Sequence, residues 1–134
     1  MIIFGMGKDF KEWHLKKSDL NENKTRVFFH EREVWFAVTG VNIGFEQDGK
    51  GTDFLRPVIV IKKFSNEVFL AVPTTKNGKI GKYYYSFTYK EGESTTAILS
   101  QIRLIDCKRL KYRIGSVSEE DFLEIKMRIT SFLK

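Results

Sequence analysis

Residues 43–60 read IGFEQDGKGTDFLRPVIV. A polar, glycine-rich loop carrying an acid and an amide, Glu46 and Gln47, runs into Arg56-Pro57, where the β-branched series Val58, Ile59, Val60, Ile61 starts a strand. Proline at a strand mouth fixes φ and removes one ladder donor, so its neighbour Arg56 is held where the loop meets the sheet. A guanidinium held there offers paired, charge-assisted donors that suit a phosphate. Gly44, Gly49 and Lys50 imitate a P-loop up to its last position. There Gly51 stands where Ser or Thr must bind magnesium, and the segment opens a strand instead of a helix. Nucleoside triphosphate binding is not expected.

Working outward, Val34, Phe36 and Val38 alternate with Trp35 and Ala37, a strand over 32–38 with both faces partly covered. Strands over 57–64 and 68–73 flank a Ser65-Asn66-Glu67 turn. A basic loop, KNGKIGK over 76–82, leads to an aromatic strand through Tyr83, Tyr84, Tyr85, Phe87 and Tyr89. One further strand is expected over 97–105, interrupted by Ser100, Gln101 and Arg103; then come a helical turn over 107–110 and a short strand over 113–117. Ser118 is an N-cap, with Glu119, Glu120 and Asp121 in a first turn that favours negative charge. Phe122, Ile125, Ile129, Phe132 and Leu133 form the apolar stripe of that closing helix. Phe10, Trp13, Lys17 and Leu20 recur at helical spacing over 8–23. About six short strands and a closing helix imply a mainly β fold, a small, strongly curved barrel or sandwich. The 134 residues read as a single domain, with 1–30 a helical extension and 31–134 the barrel and its C-terminal helix.

Composition narrows the function. Aromatic residues make up 14% of the chain, including 12 Phe, which argues for a packed core over disorder. The excess of 23 Lys and Arg over 17 Asp and Glu favours an anionic partner. Cys107 is the only cysteine, so an intrachain disulfide and a Cys₄ or Cys₂His₂ zinc site are excluded, and a reducing cytoplasm is the expected setting. His14 and His30 are isolated and read as solvated or capping residues, so neither metal nor cofactor is expected. No apolar run approaches the ~20 residues that span a bilayer, and the first residues lack a signal-peptide pattern, so no membrane association is expected.

Several segments, in order, resemble the MazF/PemK family of type II toxin–antitoxin toxins. Glu33-Val34-Trp35 with Gly44-Phe45-Glu46-Gln47 resembles the family's first strand and G-x-E-Q loop. Arg56-Pro57-Val58-Ile59-Val60 resembles its R-P-hydrophobic signature, and Val72-Pro73-Thr74-Thr75-Lys76 its strand ending in a Thr-Thr or Thr-Ser pair. Gln101-Ile102-Arg103-Leu104-Ile105-Asp106 resembles Q-x-R-x-I-D. The resemblance implies a small SH3-like barrel (MazF/PemK/CcdB-like), a homodimer, and a metal-independent endoribonuclease that cuts single-stranded RNA at a short sequence. It also implies a 2′,3′-cyclic phosphate and a 5′-OH as product ends, inhibition by a cognate antitoxin, and DNA binding by the toxin–antitoxin complex.

Carried onto this chain, the family's catalytic arginine falls on Arg56 and its threonine on Thr74, with Thr75 an alternative because the strand reads one residue short. Thr74 orients the ribose 2′-OH or bonds a phosphoryl oxygen, but its hydroxyl is no base unaided. Glu46 is the expected general base and Asp48 the lesser candidate. Gln47, Lys50, Thr75, Lys76, Lys79, Gln101 and Arg103 are expected to meet RNA. Two departures stand out. The loop 48–55 is longer than the family's, with a gating role in view, and Ser100 replaces an acid that some members carry before the glutamine. Two other functions share the barrel: a CcdB-like topoisomerase-poisoning toxin, against which the R-P and Thr-Thr motifs weigh, and a catalytically silent RNA- or protein-binding barrel.

Overall fold

A computed structural model of the chain describes residues 27–40 and 55–134. The expected helix over 8–23 and the glycine-rich loop as far as residue 54 lie outside the described residues. Within them run β1 (Glu33–Val38), β2 (Leu55–Lys63), β3 (Val68–Thr75), β4 (Tyr84–Lys90), β5 (Glu93–Ile98), β6 (Arg103–Asp106), β7 (Leu110–Ser116) and a closing helix, α1 (Glu119–Ser131). All pairings are antiparallel, in the order β4-β5-β3-β2-β1-β7, with β6 also on β3. The sheet curls into a half-barrel until its edge strands meet. A Cβ at Gly115 in β7 would stand 3.2 Å from the Tyr89 ring of β4, so a side chain there would push the edges apart.

The unbroken apolar run of β2 follows from burial on both faces. Val58 and Val60 pack with Phe29, Trp35 and Phe69 on one face. Ile59 and Ile61 pack with Val34, Val72 and Phe87 on the other, beneath Phe122 and Ile125 of α1. Ile125 is fully buried, a burial that stabilises by about 1.5–3 kcal/mol. Ser118 caps α1 as expected, its Oγ accepting from the Asp121 N–H at 3.1 Å. The helix is also pinned to β4, where the Tyr85 hydroxyl donates to Asp121 Oδ1 at 2.6 Å and the Arg128 guanidinium lies 4.9 Å from the Tyr85 ring centre. Leu133, assigned above to the buried stripe, is exposed. It lies two residues beyond the last helical residue, Ser131.

The stretch expected as one strand over 97–105 is two strands split by a 3₁₀ turn at Leu99–Gln101, and β5 begins four residues earlier, at Glu93. The hairpin that explains this turns at Glu91-Gly92, with Lys90 opposite Glu93 and Gly92 at φ +74°. That left-handed value is one glycine adopts without steric cost. β7 starts at Leu110, not at 113, and the split makes seven strands among the described residues. The split has a consequence for the site. The first half of β3 pairs with β6, from Val68↔Asp106 to Ala71↔Arg103, and its end pairs with β5 through Thr74↔Ala97 and Thr75↔Thr96. Val72 and Pro73 lie between the two ladders, where a proline, having no N–H to give, is tolerated.

Candidate active site

The gap in the ladders opens a cavity of about 360 Å³ lined by Arg56, Pro73, Ser100, Gln101 and Arg103 among others. A second cavity, of about 270 Å³, lies where the end of β3 meets β5 and the start of β2; Arg56, Thr74, Thr75, Lys76, Tyr89 and Glu93 are in its wall. Arg56 belongs to both and forms the partition between them. Its pairing partner in the sheet is Ala37 of β1. The side chain is only 2% exposed and is among the largest fully buried side chains described. Held where the loop meets the sheet, as expected, Arg56 nevertheless fills buried space as well as supplying charge. The reason is the β1–β2–β3 curl, which brings wall residues around a stem that the sequence shows only at the edge of a loop.

The two threonines differ. Thr74 is buried, and its Oγ1 donates to the Pro57 carbonyl at 3.4 Å, a long bond that commits the hydroxyl weakly. Thr75 Oγ1 accepts the Asn77 N–H at 3.2 Å, and its carbonyl accepts from Thr95 Oγ1 at 3.3 Å. Thr75 therefore holds the turn that follows β3, while Thr74 has a hydroxyl to spare at the cavity. β3 runs through Thr75, two residues past the expected strand end at 73.

Gln101 and Arg103 share the first cavity, although only Arg103 is in a strand; Gln101 ends the 3₁₀ turn. Lys76 lines the second cavity. Lys79 lines neither, and its Nζ lies 5.9 Å from the centre of the Tyr84 ring. Glu46, Gln47 and Lys50 lie outside the described residues. Thr39 and Ile102 in the first cavity, and Phe36, Tyr89, Glu93, Ser94 and Thr95 in the second, were not anticipated. The Lys90-Glu91-Gly92-Glu93 turn carried the signal for the last four, since reading it as a hairpin aligns β5 beside Thr74.

Charge concentrates around the partition. Near the first cavity, burial and then the Arg103 charge lower the Arg109 pKa, with Asp106 opposing, and Arg109 Nη1 donates to the Val38 carbonyl at 3.1 Å. In the second cavity, burial and then the Glu93 charge raise the Tyr89 pKa, so its phenol stays protonated. Away from both cavities, Glu33 opens β1 as a buried carboxylate. It accepts from Trp35 Nε1 at 2.9 Å, the His30 N–H at 2.8 Å and Arg113 Nη1 at 3.2 Å. Burial would raise its pKa, but these hydrogen bonds together hold it below the ordinary glutamate value. His30 is 72% exposed on its side chain, with Nδ1 3.4 Å from Glu33 Oε2. Among the described residues no three His, Cys, Asp or Glu side chains gather in metal-binding geometry, and no helix is long and apolar enough to cross a membrane.

A buried guanidinium, a weakly committed hydroxyl and flanking cations around adjoining cavities suit an anionic ligand. A family model described as PemK-like, MazF-like toxin of type II toxin-antitoxin system matches residues 34–133. No curated protein matches the sequence. Among solved structures, MazF (Form-I) from Deinococcus radiodurans superposes with a TM-score of 0.62 at 16% identity, over 80% of this chain and 97% of that one. The Mycobacterium tuberculosis toxin MazF-mt6 gives 0.58 at 12% identity, over 76% and 96%. An endoribonuclease in complex with its cognate antitoxin from Mycobacterial species gives 0.57 at 11%, over 77% and 92%. At these identities the likeness is one of fold.

Proposed function

Because this chain belongs to the PemK-like, MazF-like toxin family of type II toxin–antitoxin systems, we propose that it is a metal-independent endoribonuclease cutting single-stranded RNA. The observation that carries the reading is the placement of Arg56 and Thr74, from different strands, in the wall of one cavity. Transesterification needs the 2′-oxygen in line with the leaving oxygen and compensating charge on the pentacoordinate phosphorus. Arg56 supplies the charge, and its burial lowers the local dielectric in which that charge acts. Thr74 orients the 2′-OH or a phosphoryl oxygen. The phosphorus–O5′ bond breaks, leaving a 2′,3′-cyclic phosphate and a 5′-OH. Lys76 borders the same cavity as a phosphate contact, and Gln101 and Arg103 read the neighbouring nucleotide in the first.

The same reading makes the protein a cytoplasmic homodimer, blocked by an antitoxin whose acidic, extended segment competes for the cationic groove. Residues 31–134 form its working unit and 1–30 an extension. Purified protein incubated with a long RNA in EDTA tests the reading. Cleavage at few sites, with cyclic phosphate and 5′-OH ends by mass analysis, is expected. Intact RNA, or 5′-phosphate ends, would overturn it.

A further inference from the structure

The second cavity contains one more group that the reaction needs and the family motifs do not name. Its lining includes the cations Arg56 and Lys76, together with Thr74, Thr75, Ser94, Thr95 and Tyr89. Glu93 is the acidic side chain in that wall among the described residues. It is placed by the Glu91-Gly92 turn, which starts β5 at the cavity rim, and β5 is the strand that pairs with Thr74 and Thr75. Glu93 is exposed at that rim, and after burial its charge is the second cause that raises the Tyr89 pKa.

Threonine hydroxyls are far too weakly acidic to serve as bases at neutral pH, and guanidinium and ammonium groups have no lone pair to offer. We propose that Glu93 is the general base of the cleavage reaction, taking the proton of the ribose 2′-OH while Arg56 and Thr74 hold the phosphate. This rests on the ribonuclease reading above. The 2′-O–H bond breaks with its proton going to a Glu93 carboxylate oxygen, and the 2′-oxygen bonds to phosphorus. The phosphorus–O5′ bond then breaks, and the 5′-oxygen takes a proton from water. Glu93 returns its proton to solvent. Tyr89, kept neutral, remains a hydrogen-bond donor in the same lining. The competing role is a plain charge pair across the hairpin, since Lys90 stands opposite Glu93 in the ladder.

Single-turnover cleavage of an RNA oligonucleotide across pH, alongside anisotropy titration with its non-cleavable 2′-deoxy counterpart, separates these roles. Glu93→Gln should slow cleavage by about 10²–10⁴-fold and abolish the rise of rate with pH on the acid side, with little change in Kd. Lys90→Ala, which removes the cross-hairpin partner, should leave rate and profile unchanged. Wild-type cleavage with an unimpaired Glu93→Gln, or a rate loss matched by an equal loss of binding, overturns this inference alone. So does a retained acid limb in Glu93→Gln that disappears in Glu46→Gln. A wild-type protein that cleaves no RNA overturns the ribonuclease reading and takes this one with it.

Discussion

Arg56 is predicted to carry two separable burdens, and replacing it with alanine, methionine and lysine in turn would distinguish them. The side chain is 2% exposed and partitions cavities of about 360 and 270 Å³. Truncating a long core side chain to alanine costs about 2–5 kcal/mol. Here the void joins two open cavities that the side chain already borders. Arg56→Ala should therefore lie at the low end, near 2 kcal/mol, a loss that a domain stable by about 5–15 kcal/mol survives. Arg56→Met keeps the stem and should melt closer to wild type than the alanine variant. Neither supplies charge to the phosphorane, so both should cleave about 10²–10³-fold more slowly, the equivalent of roughly 3–4 kcal/mol of transition-state stabilisation. Arg56→Lys keeps charge but loses the fork, and should fall between them and wild type. Single-turnover cleavage at protein excess, with melting followed by circular dichroism, gives both quantities. A folded Arg56→Met variant cleaving within about threefold of wild type would refute the assignment. Activity losses that simply track melting temperature across the three variants would reduce Arg56 to a packing residue.

The threonines should dissociate in the opposite way. Thr74→Val should slow cleavage strongly with little effect on melting, because its hydroxyl makes only a 3.4 Å bond. Thr75→Val should cost about 1 kcal/mol by orphaning the Asn77 N–H, with the smaller effect on rate; the reverse ranking would exchange their roles. Glu33 has a depressed pKa in the folded protein, so its contribution to stability is present above its unfolded pKa and lost as pH falls through the folded one. Glu33→Gln should accordingly flatten the acid limb of the melting-temperature profile, and an unchanged limb would show that Glu33 has no part in it.

Some of this molecule was legible before any coordinates. The apolar series after Pro57, the Ser65-Asn66-Glu67 turn and the acidic first turn behind Ser118 are local signals, each set by the φ, hydrogen bonds or dipole of its own segment. They placed β2, β3 and α1 within about three residues. The order of motifs along the chain was legible too, and it pointed to Arg56, Thr74, Gln101 and Arg103. Other features are properties of pairing between distant segments, and no single segment encodes them. That β3 changes partners at Pro73, and that Tyr89 reaches Gly115 across the curled sheet, depend on how ladders close over many intervening residues. The burial of Arg56 is of the same kind. Its sequence neighbours form the edge of a loop, whereas the strands curled around it make it a wall between two cavities. Chemical identity, and the hairpin that starts β5 at Glu93, lay in the sequence; the adjacency of β5 to the end of β3 came only from the closing of the sheet.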